Sequence, residues 1–178
     1  IESRSLKLNK ELFDLNEIIS NIVEDYKTII IKDNHSVKLY FKPSNYTLFV
    51  QADKERIAGV ISNLLSNAIK FTKKGEIFVS IRKENSNSIN PYAIVTVKDN
   101  GEGIDPEILP KIFSKFVTKS YEGLGLGMYI SKNIVEAHEG KIWTENKNDN
   151  KNGNRGAIFY FTLPLSKGMG TSNNNIDK

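Results

Sequence analysis

The sequence contains no cysteine, which excludes disulfide bonds and thiolate metal sites from this chain. It has no apolar run near the roughly 18 residues that a membrane-spanning helix requires, and no signal-peptide pattern opens it. These absences fit a cytoplasmic domain. Lysine is scattered rather than interleaved with aromatic residues, so the net charge of +4 does not indicate a nucleic-acid partner.

The composition is that of a globular protein, with 178 residues, of which 39% are hydrophobic and 26% charged. This length is enough for one well-buried domain. Because the chain begins with Ile1 rather than Met, we expect it to be a piece of a longer protein. Residues 1–13 fit either the last turns of a helix or a short extended segment, and the polar stretch 166–178 is expected to be a disordered tail.

Apolar residues recur at helical or strand spacing between these ends. The pattern predicts an α+β fold, a two-layer sandwich with a mixed sheet of about five strands and about three helices on one face. The predicted helices are 14 to 32–34, 53–72, a short one within 106–113, and one that follows 123–127 and stops at Gly140. The predicted strands are 37–41, 47–52, 76–84, a central 92–98, and a hairpin of 141–145 with 157–163.

The helix 53–72 has a broad apolar face that should pack on the sheet, with Asp53 as its N-cap. That face comprises Ile57, Val60, Ile61, Leu64, Ala68 and Phe71, and the polar stripe beside it comprises Arg56, Asn63, Asn67 and Lys70. An amide oxygen is a hard ligand suited to Mg²⁺, and a lysine can meet phosphate. The alternative is that both asparagines are ordinary surface residues.

Glycines are concentrated in 123–127, immediately before a predicted helix. The spacing differs from the G-x-G-x-x-G dinucleotide fingerprint, and no Gly-Lys-Ser/Thr follows as in a P-loop. Glycines before a helix can nevertheless expose backbone amides to a phosphate. Taken alone, the segment fits a flexible loop that leads into a helix at least as well.

Asp99 ends an apolar strand and is followed closely by Gly101 and Gly103. An ionised aspartate only accepts hydrogen bonds. A buried aspartate would therefore favour adenine, which presents an amine donor at C6, over guanine, which presents a carbonyl there. The two glycines would let the backbone turn and approach the base. A simple turn or hairpin at this position is the alternative.

Four stretches resemble the N, G1, F and G2 boxes of sensor histidine kinases and follow in that order: 63–71, 99–104, 112–116 and 123–128. The stretch 134–138 is similar to the family's usual helix ending. The resemblance covers about residues 14–165 and implies the Bergerat ATP-binding fold of the GHKL superfamily, which gyrase, MutL and the heat-shock-ninety chaperones share. It also implies that 1–13 are the end of a preceding dimerisation helix and its linker.

The resemblance implies a role for each matching position. Asn67 would ligate Mg²⁺, with Asn63 beside it toward the phosphates and Lys70 in contact with phosphate. Asp99 would hold the adenine amine of ATP, with Gly101 and Gly103 making room. The lid over the nucleotide and its phosphate contacts would involve Lys119, Gly123, Gly125, Leu126 and Gly127, and Thr162 would lie near the adenine. Leu124 departs from the family, where a small or hydroxylated residue is commoner.

The implied activity is a histidine protein kinase that transfers the γ-phosphoryl group of ATP to a histidine on a separate dimerisation domain. Neither His35 nor His138 fits the phosphoacceptor, and a histidine at a helix C-terminus is most simply a dipole partner or a surface residue. Implied partners are that domain and a response regulator, with a homodimeric full-length protein and a monomeric chain here. The membrane attachment of the full-length protein stays open.

Three other functions are alternatives to the kinase. A hydrolytic clamp ATPase of the same fold would carry a glutamate where this chain has Asn63. A binding-only module is disfavoured by the presence of Asn67, Lys70 and Asp99. A serine kinase of the same fold is a further alternative, although the G2 stretch favours histidine kinases.

Overall fold

The computed structural model describes residues 7–33, 35–84, 91–117, 125–147 and 155–166. Three α-helices, one short 3₁₀ helix and seven strands lie in these ranges. None of the described helices has the length and apolar character needed to span a membrane. The elements in chain order are β1 Lys10–Asp14, α1 Leu15–Lys32, β2 Ser36–Lys42, β3 Phe49–Asp53, α2 Lys54–Phe71, β4 Lys74–Glu84, β5 Tyr92–Asp99, the 3₁₀ helix Leu109–Lys111, α3 Gly127–Ala137, β6 Ile142–Asn146 and β7 Ala157–Pro164.

The main sheet has five strands in the order β2-β4-β5-β7-β6. Strands β2 and β4 are parallel and the other neighbours are antiparallel, which confirms the predicted mixed sheet with 92–98 at its centre. The predicted strand 47–52 lies elsewhere, because β3 pairs with β1 in a separate two-stranded sheet. The pairing shows that Lys10–Asp14 are extended, whereas residues 1–6 lie outside the described part of the chain.

The helices cover one face of the main sheet. In β4, Ile77, Val79 and Ile81 are buried, while the alternate residues Phe78 and Arg82 are exposed, as a sheet with one covered face requires. Helix α1 contacts β2, α2 contacts β5, and α3 contacts β6 and β7. The core therefore lies between the helix layer and this face. The predicted two-layer α+β sandwich is confirmed.

Helix α2 begins and ends as predicted, with Asp53 accepting a hydrogen bond from the Arg56 N–H at its start. Five of the six predicted apolar-face residues are buried. Phe71 is the exception, because its side chain is 45% exposed. It is the last residue of the helix, and its carbonyl oxygen lies against Gly101. The prediction that Phe71 packs in the core was wrong.

The end of α3 differs from the predicted glycine stop. The helix ends at Ala137, and the left-handed residue after it is Glu139, with φ 61°. The Glu139 N–H donates to the Glu136 carbonyl at 3.0 Å and the Gly140 N–H to the Val135 carbonyl at 2.9 Å, the two bonds of a Schellman motif. Gly140 is required for a different reason, because a Cβ there would lie 2.0 Å from the Thr162 carbonyl oxygen.

His138 is 4% exposed, so of the two alternatives, a dipole partner or a surface residue, the second was wrong. Its Nε2 accepts the Asp53 N–H at 2.9 Å, which leaves Nδ1 to donate to the Ile134 carbonyl at 2.7 Å. The ring thereby joins the end of α3 to the N-cap residue of α2. The Asp53 carboxylate in turn accepts the Asn9 N–H at 3.0 Å, so the incoming chain is attached at the same point.

Both predicted domain boundaries fall close to ordered contacts. Strand β1 crosses the predicted boundary at 13/14, and the Ser166 N–H donates to the Phe49 carbonyl at 2.8 Å. Residues 167–178 lie outside the described part of the chain, so the disordered tail stays a prediction. The same holds for the exact division at 13/14 and 165/166.

Replacing His138 with alanine should lower the free energy of unfolding by about 1–3 kcal/mol, because the buried Asp53 N–H loses its acceptor. The exposed His35 offers a matched control, since only its backbone N–H is bonded, to the Ile30 carbonyl. Urea unfolding of His138→Ala and His35→Ala measures both. Equal midpoints for the two variants would show that the His138 bridge contributes nothing.

Candidate functional site

The predicted N and G2 boxes meet where α2 passes the start of α3. The Asn63 Nδ2 donates to the Ser131 hydroxyl at 2.9 Å. The Asn63 Oδ1 lies against Gly127, where an added Cβ would be only 2.6 Å from it. Residues 64 positions or more apart in sequence are thus in direct contact, which the order of the motifs alone could not establish.

Asn67 and Lys70 follow Asn63 along α2 toward its C-terminus, about 6 and 10 Å further on at 1.5 Å per residue. Asn67 is half-buried, and its amide has no hydrogen bond within the residues that the structure describes. Lys70 is exposed. The two therefore lie at the end of the helix that faces the G1 segment.

Arg56 does not join these residues, although the sequence placed it on the same stripe. Its Nε bonds the Asp53 carboxylate at 3.2 Å and its Nη2 the Lys7 carbonyl at 3.3 Å. Seven residues before Asn63, it lies about 10 Å away along the helix axis. Its role in the structure is to hold the incoming chain at the start of α2.

Asp99 is the last residue of β5 and is 4% exposed. Its Oδ1 accepts the Gly101 N–H at 2.9 Å and the Ala157 N–H at 3.1 Å, and the described residues provide no donor for Oδ2. Burial raises the pKa of Asp99, while the two backbone donors act in the opposite direction. The result is a buried acceptor with one carboxylate oxygen left to bind a donor from outside the chain.

The protein's own backbone requires glycine at both G1 positions, Gly101 and Gly103. A Cβ on Gly101 would lie 2.4 Å from the Phe71 carbonyl oxygen at the end of α2, and Gly103 has φ +76°, which favours glycine. The Asn146 side chain then holds the next residue, accepting the Ile104 N–H at 2.7 Å and donating to its carbonyl at 2.6 Å. These contacts fix Asp99 at the end of α2.

Sequence reasoning missed three residues that build this site. Asn146 has the contacts just described, Ser131 accepts from Asn63, and Gly156 approaches Asp99 so closely that a Cβ would lie 2.2 Å from its carbonyl oxygen. None of the three belongs to a local motif that could have indicated it. Their roles depend on strands and helices that are distant in sequence.

The two described glycines of the G2 box, Gly125 and Gly127, lie at the start of α3. Gly125 has φ +65°, and a Cβ there would lie 2.7 Å from the backbone of Phe116 and Val117, which joins the F-box stretch to this turn. Leu126 is the N-cap and makes no side-chain capping bond. Within the described part of the chain, no N-cap side chain bonds the first amides of α3, and these amides can meet an anion. Lys119 and Gly123 lie outside the described residues, as does most of the predicted lid.

Thr162 is not brought to these residues. Its hydroxyl accepts the Lys141 N–H at 2.9 Å, and it pairs with Ile94 on β5. It stands five positions along β7 from Ala157, the residue that contacts Asp99, which is about 16 Å in a strand. Strand alternation also directs it to the face opposite Phe161, which is buried in the core. The structure therefore gives Thr162 a hairpin contact at a distance from Asp99.

Residues 52–167 match the family model described as histidine kinase-, DNA gyrase B- and HSP90-like ATPase. The chain belongs to this family. It is 36% identical to the sensor protein KdpD of Clostridium acetobutylicum over 89% of its own length and 17% of that protein. It is 32% identical to the sensor protein kinase WalK of Staphylococcus haemolyticus over 92% of its length and 26% of that protein.

Solved structures agree with this assignment. The catalytic domain of the histidine kinase ThkA is 34% identical, with a TM-score of 0.71 over 88% of this chain and 95% of that one. Full-length ShkA in complex with AMPPNP has a TM-score of 0.78 over 93% of this chain, and at 21% identity it supports the fold. The recognition of a sensor histidine kinase catalytic domain with the Bergerat fold is thus confirmed.

Replacing Asp99 with asparagine should stabilise the nucleotide-free protein at pH 7. The variant keeps an oxygen for the two backbone donors and removes a buried charge. Because burial raises the pKa of Asp99 above 3.8, the folded state binds this proton more tightly than the unfolded chain, so the charged form destabilises the fold.

Urea unfolding of Asp99→Asn and of the unmodified protein from pH 7 downward measures this effect. The difference between them should shrink as the pH falls through the raised pKa, since the carboxyl group then becomes neutral. Replacement of the exposed Asp25 with asparagine controls for the substitution itself. A midpoint for Asp99→Asn at or below that of the unmodified protein at pH 7 would contradict the argument.

Proposed function

We propose that this chain binds Mg²⁺·ATP and presents its γ-phosphoryl group to a histidine on a separate dimerisation domain of a two-component sensor kinase. The observation that carries the proposal is the buried Asp99 with one unpartnered oxygen, fixed at the end of the helix that carries Asn67 and Lys70. The chain spans only 17% of the length of KdpD and 26% of that of WalK. The activity of the whole protein is therefore inferred from this part.

Adenine recognition follows from the acceptor chemistry of Asp99. Its Oδ2 would accept the adenine C6 amine, while Oδ1 stays bonded to the Gly101 and Ala157 amides. Guanine would place a carbonyl oxygen against a carboxylate in a buried position, where an unmatched acceptor costs about 1–3 kcal/mol. The relationship of this chain to an ATP-binding family agrees with that preference.

The residues present fit a magnesium ion held largely through phosphate oxygens. No group of three His, Asp or Glu side chains suited to a metal was found among the described residues. The half-buried Asn67 amide has no partner in the described protein and offers one hard oxygen ligand. Bound there, Mg²⁺ would neutralise phosphate charge, with Lys70 and the first amides of α3 as the phosphate contacts.

Nothing in the described chain supplies an activated nucleophile. Hydrolytic relatives place a glutamate at the position of Asn63, and an amide does not take a proton near pH 7. Both ring nitrogens of His138 are committed to backbone bonds. We therefore infer that the phosphoryl acceptor lies on another domain, which favours a kinase over a clamp ATPase. The histidine kinase ThkA has been solved in complex with the response regulator TrrA, and we infer a response-regulator partner and a homodimeric full-length protein here as well.

The chain should bind Mg²⁺·ATP and Mg²⁺·ADP and discriminate strongly against GTP. Asp99→Asn should weaken ATP binding by about 1–3 kcal/mol, because it turns the acceptor that faces the adenine amine into a donor. Calorimetric titration measures the affinities. Asp25→Asn serves again as the exposed control. An unchanged ATP affinity in Asp99→Asn would contradict the assignment of Asp99 as the acceptor for the adenine amine.

With γ-labelled ATP, the isolated chain should neither label itself nor hydrolyse ATP rapidly, because phosphoryl transfer needs an oriented nucleophile. A helical-hairpin domain with a histidine followed by an acidic residue, added in trans, should become labelled. Asn67→Ala should abolish this labelling through loss of the metal ligand, whereas Asn21→Ala on the exposed side of α1 should not. Self-labelling on His35 or His138, or hydrolysis at the rate of a dedicated ATPase, would contradict the proposal.

A further inference from the structure

Helix α3 carries a notch at its N-terminal end, formed by Gly127 and Ser131. The two residues are four positions apart, so they lie one above the other on the same face of the helix. Gly127 contributes the absence of a side chain, and Ser131, which is 2% exposed, contributes a buried hydroxyl. Neither local helix propensity nor a turn explains why a buried serine should occupy this helix position.

The notch is filled by the amide of Asn63. Its Nδ2 donates to the Ser131 hydroxyl at 2.9 Å, and its Oδ1 lies where an alanine Cβ at position 127 would approach it to 2.6 Å. The oxygen thus faces the start of an 11-residue helix whose N-cap has no side-chain bond. That end carries positive partial charge, which favours an oxygen and disfavours an NH₂ group. The N-terminal end of α3 and the Ser131 hydroxyl therefore favour the same orientation of the Asn63 amide.

We propose that Ser131 and Gly127 are positioning residues that lock the Asn63 amide in one orientation and thereby set α2 and α3 in register at the phosphate end of the site. The inference rests on the proposed ATP-binding function. It adds a physical link between the two parts of the proposed phosphate site, Asn67 with Lys70 on α2 and the first amides of α3. Because one side chain joins the two helices, a shift of either helix displaces the other.

Two substitutions change the contacts of the Asn63 amide in different ways. Ser131→Ala removes the acceptor of the Asn63 Nδ2, and Gly127→Ala inserts a methyl group against the Asn63 Oδ1. Each should weaken Mg²⁺·ATP binding by about 2- to 10-fold, the range of one net hydrogen bond. Each should also shift and broaden the Asn63 side-chain NH₂ signals in ¹⁵N-correlated spectra of the nucleotide-free chain.

The chain offers a matched control for each change. Ser66 donates to the Asn63 backbone carbonyl at 3.0 Å and leaves the amide untouched, and Gly59 lies on the same helix with nothing within 4 Å of an added Cβ. Ser66→Ala and Gly59→Ala should leave both the ATP affinity and the Asn63 NH₂ signals near those of the unmodified chain.

A double-mutant cycle with Asn63→Ala separates positioning from general packing. If Ser131 acts through Asn63, its removal should have no further effect on ATP affinity in the Asn63→Ala background. An equal loss in both backgrounds, or unchanged NH₂ signals in Ser131→Ala, would overturn the inference while leaving ATP binding intact. Failure of the unmodified chain to bind ATP would instead overturn the proposed function, and the NH₂ signals would still decide whether the notch orients Asn63.

Discussion

The rest of the structure depends on helix α2, which packs in the core and also contacts α3 and the G1 segment. Helix α2 buries Ile57, Ile61 and Leu64 in the core, and its remaining polar edge must meet α3 and the G1 segment without losing that burial. Burying these apolar side chains stabilises the fold by several kcal/mol in sum. The position of α2 is therefore fixed by the core, and this also fixes the positions of the site residues along its polar edge.

Close backbone approaches convert this packing into a site. Gly101 lets the G1 segment reach the last carbonyl of α2, Gly156 lets β7 start against Asp99, and Gly127 lets α3 reach Asn63. A side chain at any of these positions would meet another atom at 2.2–2.6 Å. The two motif glycines, Gly101 and Gly127, and Gly156 are thus required by the packing of the protein itself, before any nucleotide binds.

Much of the fold could be predicted because hydrophobic periodicity is a local property. The bounds of α2, the central β5 and the β6–β7 hairpin all follow from the sequence pattern. The pattern failed where partners distant in sequence decided. The strand at 47–52 pairs with β1 instead of the main sheet, and His138 is buried because the Asp53 N–H, 85 residues away, requires an acceptor.

The sequence by itself determined which chemistry is available: amide oxygens on α2, a carboxylate after β5, glycines before α3, and no cysteine or credible phosphoacceptor. Tertiary structure decided which of these groups meet. Thr162 lies on another face of the sheet from Ala157, and Arg56 bonds Asp53 and Lys7 at the start of α2. Ser131 accepts a hydrogen bond from Asn63. The physical reason is that residue type and spacing fix a side chain's donors, acceptors and helix or strand face, whereas burial and hydrogen-bond partners are set only when separate elements pack.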